Sequence, residues 1–139
     1  MRFWDSSAIV AILIEEPRRA DALRFLEEDQ SIVVWWATTV ECVSAISRRE
    51  RDGSLTSEAV RSALGKLATL REEWNEIVPS APMRATAERL LRVHPLRAGD
   101  ALQLAAALTL AEREPSSLTF LSLDDRLNDA AAREGLRIV

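Results

Sequence analysis

A chain of 139 residues with 47% hydrophobic residues and a net charge of −4 can bury one substantial core. It is too apolar for a disordered segment, and it lacks the global positive field that would announce a nucleic-acid partner. Its single cysteine, Cys42, excludes an intrachain disulfide and fits a reducing compartment. The apolar runs at 8–14 and 101–111 fall far short of the ~20 residues a membrane span needs. Asp5 interrupts the stretch where a signal peptide would be apolar. One cytoplasmic domain over 1–139, with no membrane partner, is therefore expected. Of the 18 basic residues only Lys66 is lysine, a bias that is compositional or suits bidentate phosphate contacts.

In chain order, residues 1–5 predict a short strand and 6–14 a helix, closed by Glu15-Glu16-Pro17. Ala22, Leu23, Phe25 and Leu26 recur at helical spacing and predict a helix from Arg18 to Glu28. The β-branched and aromatic run SIVVWW predicts a second strand. Thr38-Thr39 are expected to cap a helix running to Asp52, with Gly53 closing it. After the turn at Ser54–Ser57, a helix is expected from Glu58 to Trp74, then a strand at Glu76–Val78. Pro79 and Pro82 bracket a loop, a helix follows to Val93, and His94-Pro95 breaks it. A long apolar helix runs from Ala98 to Glu112. The fourth strand is Leu118–Ser122, a helix covers 125–134 up to Gly135, and Leu136–Val139 is the fifth strand. Strands alternating with helices predict an α/β fold in three α/β/α layers, its five-stranded sheet mostly parallel. In such a sheet ligands sit outside the carboxyl ends of the strands.

Four acids fall at that edge. Asp5 ends the first strand, Glu41 lies early in the helix after the second, Asp100 opens the long apolar helix, and Asp124 follows the fourth strand. Taken singly, each has a structural explanation as a helix cap or a first-turn charge facing the helix dipole. Asp100 strains that explanation, because Leu104 and Ala107 put its helix face toward a core. Glu41 shares a stripe with Ser44, Ala45 and Arg48. Converging carboxylates repel one another unless a cation is present. Oxygen donors without His or Cys favour Mg²⁺, with Mn²⁺ as a substitute, over Zn²⁺. One or two such ions suit phosphodiester hydrolysis.

Together the segments DSSAIV, TTVECVSA, LRAGDALQLAAA and FLSLDDRLNDAA resemble the PIN-domain ribonucleases. More narrowly, they are similar to the VapC toxins of type II toxin–antitoxin systems. The resemblance spans essentially the whole chain and is most specific in the first and third segments. It implies a Mg²⁺-dependent endoribonuclease, a cognate antitoxin and a homodimer. It also implies that Asp5, Glu41, Asp100 and Asp124 are the catalytic and metal-binding acids. Ser7 matches a small polar residue near the metal, and Arg97 falls in an R-x-x-D-A pattern, set either to hold Asp100 or to meet a phosphate. Ser122 stands where Thr is common. Asp125 rivals Asp124 for the fourth role, and Arg126 is near enough to touch phosphate.

The other features are weighed more plainly. Trp35 and Trp36 are expected to pack on two core faces, although one could stack on a base. His94 is expected in a loop or cap, and Cys42 as a small buried hydrophobe. Apolar residues left over on the first two helices would suit a partner helix. A receiver domain would need paired acids after the first strand, and a haloacid-dehalogenase-type phosphatase a second Asp where Ser7 stands. The competing class is a catalytically silent interaction or RNA-binding module.

Overall fold

The computed structural model describes residues 1–139. Five parallel strands form one sheet in the order β3-β2-β1-β4-β5, so the sheet is wholly rather than mostly parallel. In chain order the elements are β1 (Arg2–Trp4), α1 (Ser6–Leu13), α2 (Arg19–Glu28), β2 (Ile32–Trp35), α3 (Thr38–Arg51), α4 (Ser57–Arg71) and β3 (Asn75–Ile77). The chain then crosses back through α5 (Ala81–Val93) and α6 (Ala98–Ala111). A 3-10 turn at Pro115–Ser117 leads to β4 (Thr119–Leu121), α7 (Asp125–Arg133) and β5 (Arg137–Ile138). No helix is long and apolar enough to cross a membrane.

Side-chain alternation along the strands divides the core in two. Phe3, Val33, Trp35 and Phe120 point to one face, where they pack under α5, α6 and α7 through Met83, Leu90, Leu104 and Leu127. Trp4, Ile32, Val34 and Leu121 point to the other, under α1 to α4 through Ile9, Cys42, Ile46, Ala63 and Leu67. Both faces are covered, so the strands read as continuous apolar runs. Helix α6 has a run of alanines at 105–107, all buried, which lets it lie close against the sheet.

The chain leaves β1 toward β2 and β3 on one side, then returns to β4 and β5 on the other. The carboxyl ends of β1 and β4 thus flank the point where the winding reverses, the place where such sheets open a crevice. The Asp5 N–H donates to the Leu121 carbonyl at 2.9 Å, which fixes the end of β1 against that of β4.

Some local expectations are corrected. Helix α4 ends at Arg71, and Trp74 lies beyond it, buried in the α1–α4 core with its indole N–H on Glu76 at 3.0 Å. Pro82 sits inside the first turn of α5, behind the Ser80 N-cap, where its missing N–H breaks no helical bond. Thr38 and Thr39 do not cap α3. Ala37 holds the cap position without a side-chain bond, and Thr38 is buried. Trp35 is buried as expected, but Trp36 is 54% exposed, because the strand has ended, and the two rings meet in an edge-type arrangement. Cys42 is fully buried. Gly53 and Gly135 close α3 and α7 with φ of +83° and +92°, a region that L side chains rarely adopt.

Candidate active site

A cleft of about 680 Å³ opens at the carboxyl edge of the sheet. Asp5, Glu41, Asp100 and Asp124 all line it, with Ser6, Ser7 and Arg97. Asp125 and Arg126 are exposed on the first turn of α7 and do not line it. Of the two rival acids, Asp124 lines the cleft and Asp125 does not.

Each acid is held by one oxygen only. Asp5 ends β1 with an extended backbone and N-caps α1. Its Oδ2 accepts from the Ser7 N–H at 3.2 Å, the Ser7 hydroxyl at 2.6 Å and the Ser122 hydroxyl at 3.0 Å. Glu41, one turn into α3, takes the Ser6 hydroxyl at 2.8 Å and the Gln103 amide at 2.9 Å, both on Oε2. Asp100 accepts the Arg97 backbone N–H on Oδ2 at 3.3 Å. Asp124 N-caps α7, its Oδ1 accepting from the N–H groups of Arg126 and Leu127 at 2.9 and 3.3 Å. The second oxygen of all four acids accepts no hydrogen bond from the protein.

Serines wire the acids together. The Ser122 hydroxyl donates to Asp5 and accepts from the Asp124 N–H at 3.1 Å. The Ser7 hydroxyl donates to Asp5 and accepts from the Leu123 N–H at 2.9 Å. Ser7 thus ties the first acid to the loop after β4, while Ser6 serves Glu41. Arg97 meets Asp100 through its backbone alone, and its guanidinium forms no ion pair.

The electrostatics are unbalanced. Asp5 is buried, and burial pushes its carboxyl above the usual range. The Ser7 and Ser122 bonds pull it partly back, and the charge of Asp100 pushes it up again. Glu41 is also raised, first by burial, against the Gln103 and Ser6 bonds, and further by the charges of Asp5 and Asp100. No Arg or Lys forms a salt bridge with any of the four. A buried carboxylate left without a counter-charge is expensive, on the order of several kcal/mol.

A divalent cation fits this donor set. The donors are oxygens, with no His in the cleft. The neighbouring Cys42 thiol faces the Ser6 carbonyl at 3.9 Å, and burial holds it protonated. No three His, Cys, Asp or Glu side chains close into a preformed cage. Mg²⁺ commonly takes one or two carboxylates and keeps several waters, which is the chemistry of an open site.

Gln103 and Arg49 carry no local signal in the sequence, whereas Ser6 stands with Ser7 as a candidate either to support the metal or to start α1. Arg48 and Arg49 line the cleft from the later turns of α3, and Nη1 of Arg49 is buried without a partner. Arg48 was already legible on the Glu41 stripe. Gln103 gives no such signal, being a single polar residue within an apolar stretch of α6.

The family model for the PIN domain matches residues 2–133. No curated protein matches the chain in sequence. Among solved structures, the chain is similar to FitAcB from Neisseria gonorrhoeae, at 15% identity and a TM-score of 0.67, covering 99% of this chain and 96% of that one. It is similar to PAE2754 from Pyrobaculum aerophilum at 18% identity and a TM-score of 0.67, covering 99% and 88%. FitAB bound to an IR36 DNA fragment matches at 14% identity and 0.67, covering 100% and 94%. At these identities the likeness is one of fold.

Proposed function

The chain belongs to the PIN-domain family, and from that premise we propose that it is a divalent-metal-dependent endoribonuclease. We take it to be a single-domain, cytoplasmic VapC-type toxin, homodimeric and held in check by a cognate antitoxin. The observation that carries the nuclease reading is the set of four cleft acids, each tethered by one oxygen, none paired with a cation. The VapC assignment is supported by the four sequence segments that resemble those toxins.

Asp5, Glu41, Asp100 and Asp124 would hold the metal. Bound Mg²⁺ or Mn²⁺ supplies Lewis-acid polarisation of a phosphoryl oxygen and a water of lowered pKa. The chain's own residues do the rest. Ser7, Ser122 and Ser6 fix the carboxylates before substrate arrives, so little reorganisation is needed during reaction. Arg48, Arg49 and Arg97 line the same cleft and bear no salt bridge, which leaves their guanidinium groups for backbone phosphates. Glu41 and Arg48 are seven residues apart on α3, two helical turns or roughly 10 Å. Arg48 thus stands two turns along α3 from Glu41, while Arg97 stands beside Asp100.

The test is incubation of purified protein with labelled single-stranded RNA, with Mg²⁺, with Mn²⁺ and with chelator. Cleavage that needs metal and disappears in Asp100→Asn supports the proposal. Metal-independent cleavage would contradict it, and RNA binding without any cleavage would favour a silent RNA-binding module.

A further inference from the structure

Gln103 is the polar side chain buried within α6, 1% exposed and flanked by leucine and alanine. Its amide nitrogen donates to Glu41 Oε2 at 2.9 Å and to the Thr38 hydroxyl at 3.2 Å. Its own carbonyl oxygen is buried with no partner. A residue chosen for core stability would not leave a buried acceptor empty, since an apolar side chain of similar volume avoids that cost. The amide therefore has a use elsewhere.

That use is visible at Glu41. Gln103 and Ser6 both donate to Oε2, from α6 and from the start of α1. The pair turns Oε2 into the seam between helices and leaves Oε1 without a protein partner. Gly99 of α6 lies beside that oxygen: a side chain there would begin 3.7 Å from Oε1, at ordinary van der Waals contact. Glutamate has more rotatable bonds than aspartate, and it is the longest of the four acids. It needs two tethers from two helices to present one oxygen in a fixed direction.

We propose that Gln103 is a positioning residue of the nuclease site, acting through Glu41 to hold Oε1 ready for the metal. This deepens the metal-nuclease reading and rests on it. Gln103 does not line the cleft and touches no reacting group. The competing role is purely structural, a tie between α6 and α3 through Thr38.

The experiment compares wild type with Gln103→Met and Thr38→Val. Mn²⁺ affinity is read by calorimetry, kcat and KM from RNA cleavage at saturating Mn²⁺, and folding by melting temperature. Gln103→Met should weaken Mn²⁺ binding and lower kcat by about 10–100-fold. KM for RNA should stay unchanged and the melting temperature equal or higher. Thr38→Val should bind Mn²⁺ and turn over like wild type. If Gln103→Met does not fold, Gln103→Asn, whose shorter side chain withdraws the amide from Glu41, makes the same comparison. Wild-type affinity and kcat in the Gln103 variant overturn the proposal. So do equal losses in both variants, or a loss of stability alone. A wild type that neither binds Mn²⁺ nor cleaves RNA removes the nuclease reading itself, and this proposal with it.

Discussion

Two clusters of buried or half-buried charge sit in this molecule, and they are built in opposite ways. At the far ends of α5 and α7, Glu134 takes both terminal nitrogens of Arg89 at 2.7 and 3.1 Å, and His94 Nε2 at 2.7 Å. The Arg89 bonds, then the His94 bond, hold the Glu134 carboxyl below its usual range in spite of partial burial. At the sheet edge, Asp5 and Glu41 are pushed above theirs, by burial first. The first cluster is complete: its acid has the Arg89 guanidinium and the His94 ring as partners, and its effect is to clamp two helices. The second is left short of positive charge while serines and a glutamine hold its geometry. A charged cluster that is rigid yet uncompensated is what a cation site needs, since rigidity without the ion costs stability that only the ion returns.

The sharpest way to break this contrast is to neutralise one acid in each cluster. Asp5→Asn should lower RNA cleavage on the order of 10²–10³-fold, while its melting temperature stays equal or rises, because a buried charge without a partner has been removed. Glu134→Gln should leave cleavage near wild type and destabilise the fold by about 1–2 kcal/mol, a figure held down by the exposure of Arg89. Thermal melts and cleavage assays on the two variants check both halves. Matching behaviour in the two variants would dissolve the distinction.

A smaller effect concerns pH, in chelator so that no metal intervenes. Asp5 and Glu41 are raised in the folded state, so they destabilise it while charged, and that penalty fades as pH falls through their folded values. Glu134 is lowered, so its contribution is present above the unfolded value of about 4.3 and is lost as pH falls below it. Melting temperature should therefore rise as pH falls from neutral toward the unfolded carboxylate range of about 4, and fall below that range. Asp5→Asn should flatten the upper limb, and Glu134→Gln should soften the lower one.

The layout of the sheet was readable because apolar runs and breakers repeat in order, and the four acids were readable because each stands beside such a boundary. Their partners were not. Ser7 matches a family position near the metal, yet its bond to the loop after β4 and the Ser122 bond to Asp5 form only when the ends of β1 and β4 lie side by side. The Ser6 bond to Glu41 forms only when α3 packs beside α1. Gln103 lies 62 residues from Glu41 in the chain, and no local pattern joins them. His94 read as a helix stop, which it is, yet its partner Glu134 is 40 residues away. Trp36 failed for the opposite reason: alternation assigns a ring to each face, but only within a strand, and β2 ends at Trp35. Pairings across the fold depend on closure that a periodicity does not carry.

The central claim is that the sheet-edge cluster is short of one kind of partner, a divalent cation. Calorimetric titration of Mn²⁺ into the metal-free protein at neutral pH tests it directly, with Asp5→Asn and Glu134→Gln alongside. The account predicts binding by wild type and by Glu134→Gln, and its loss in Asp5→Asn. At ten times the dissociation constant, Mn²⁺ should stabilise the two binding proteins by about 1.4 kcal/mol. No binding by wild type, or equal binding by Asp5→Asn, would contradict it.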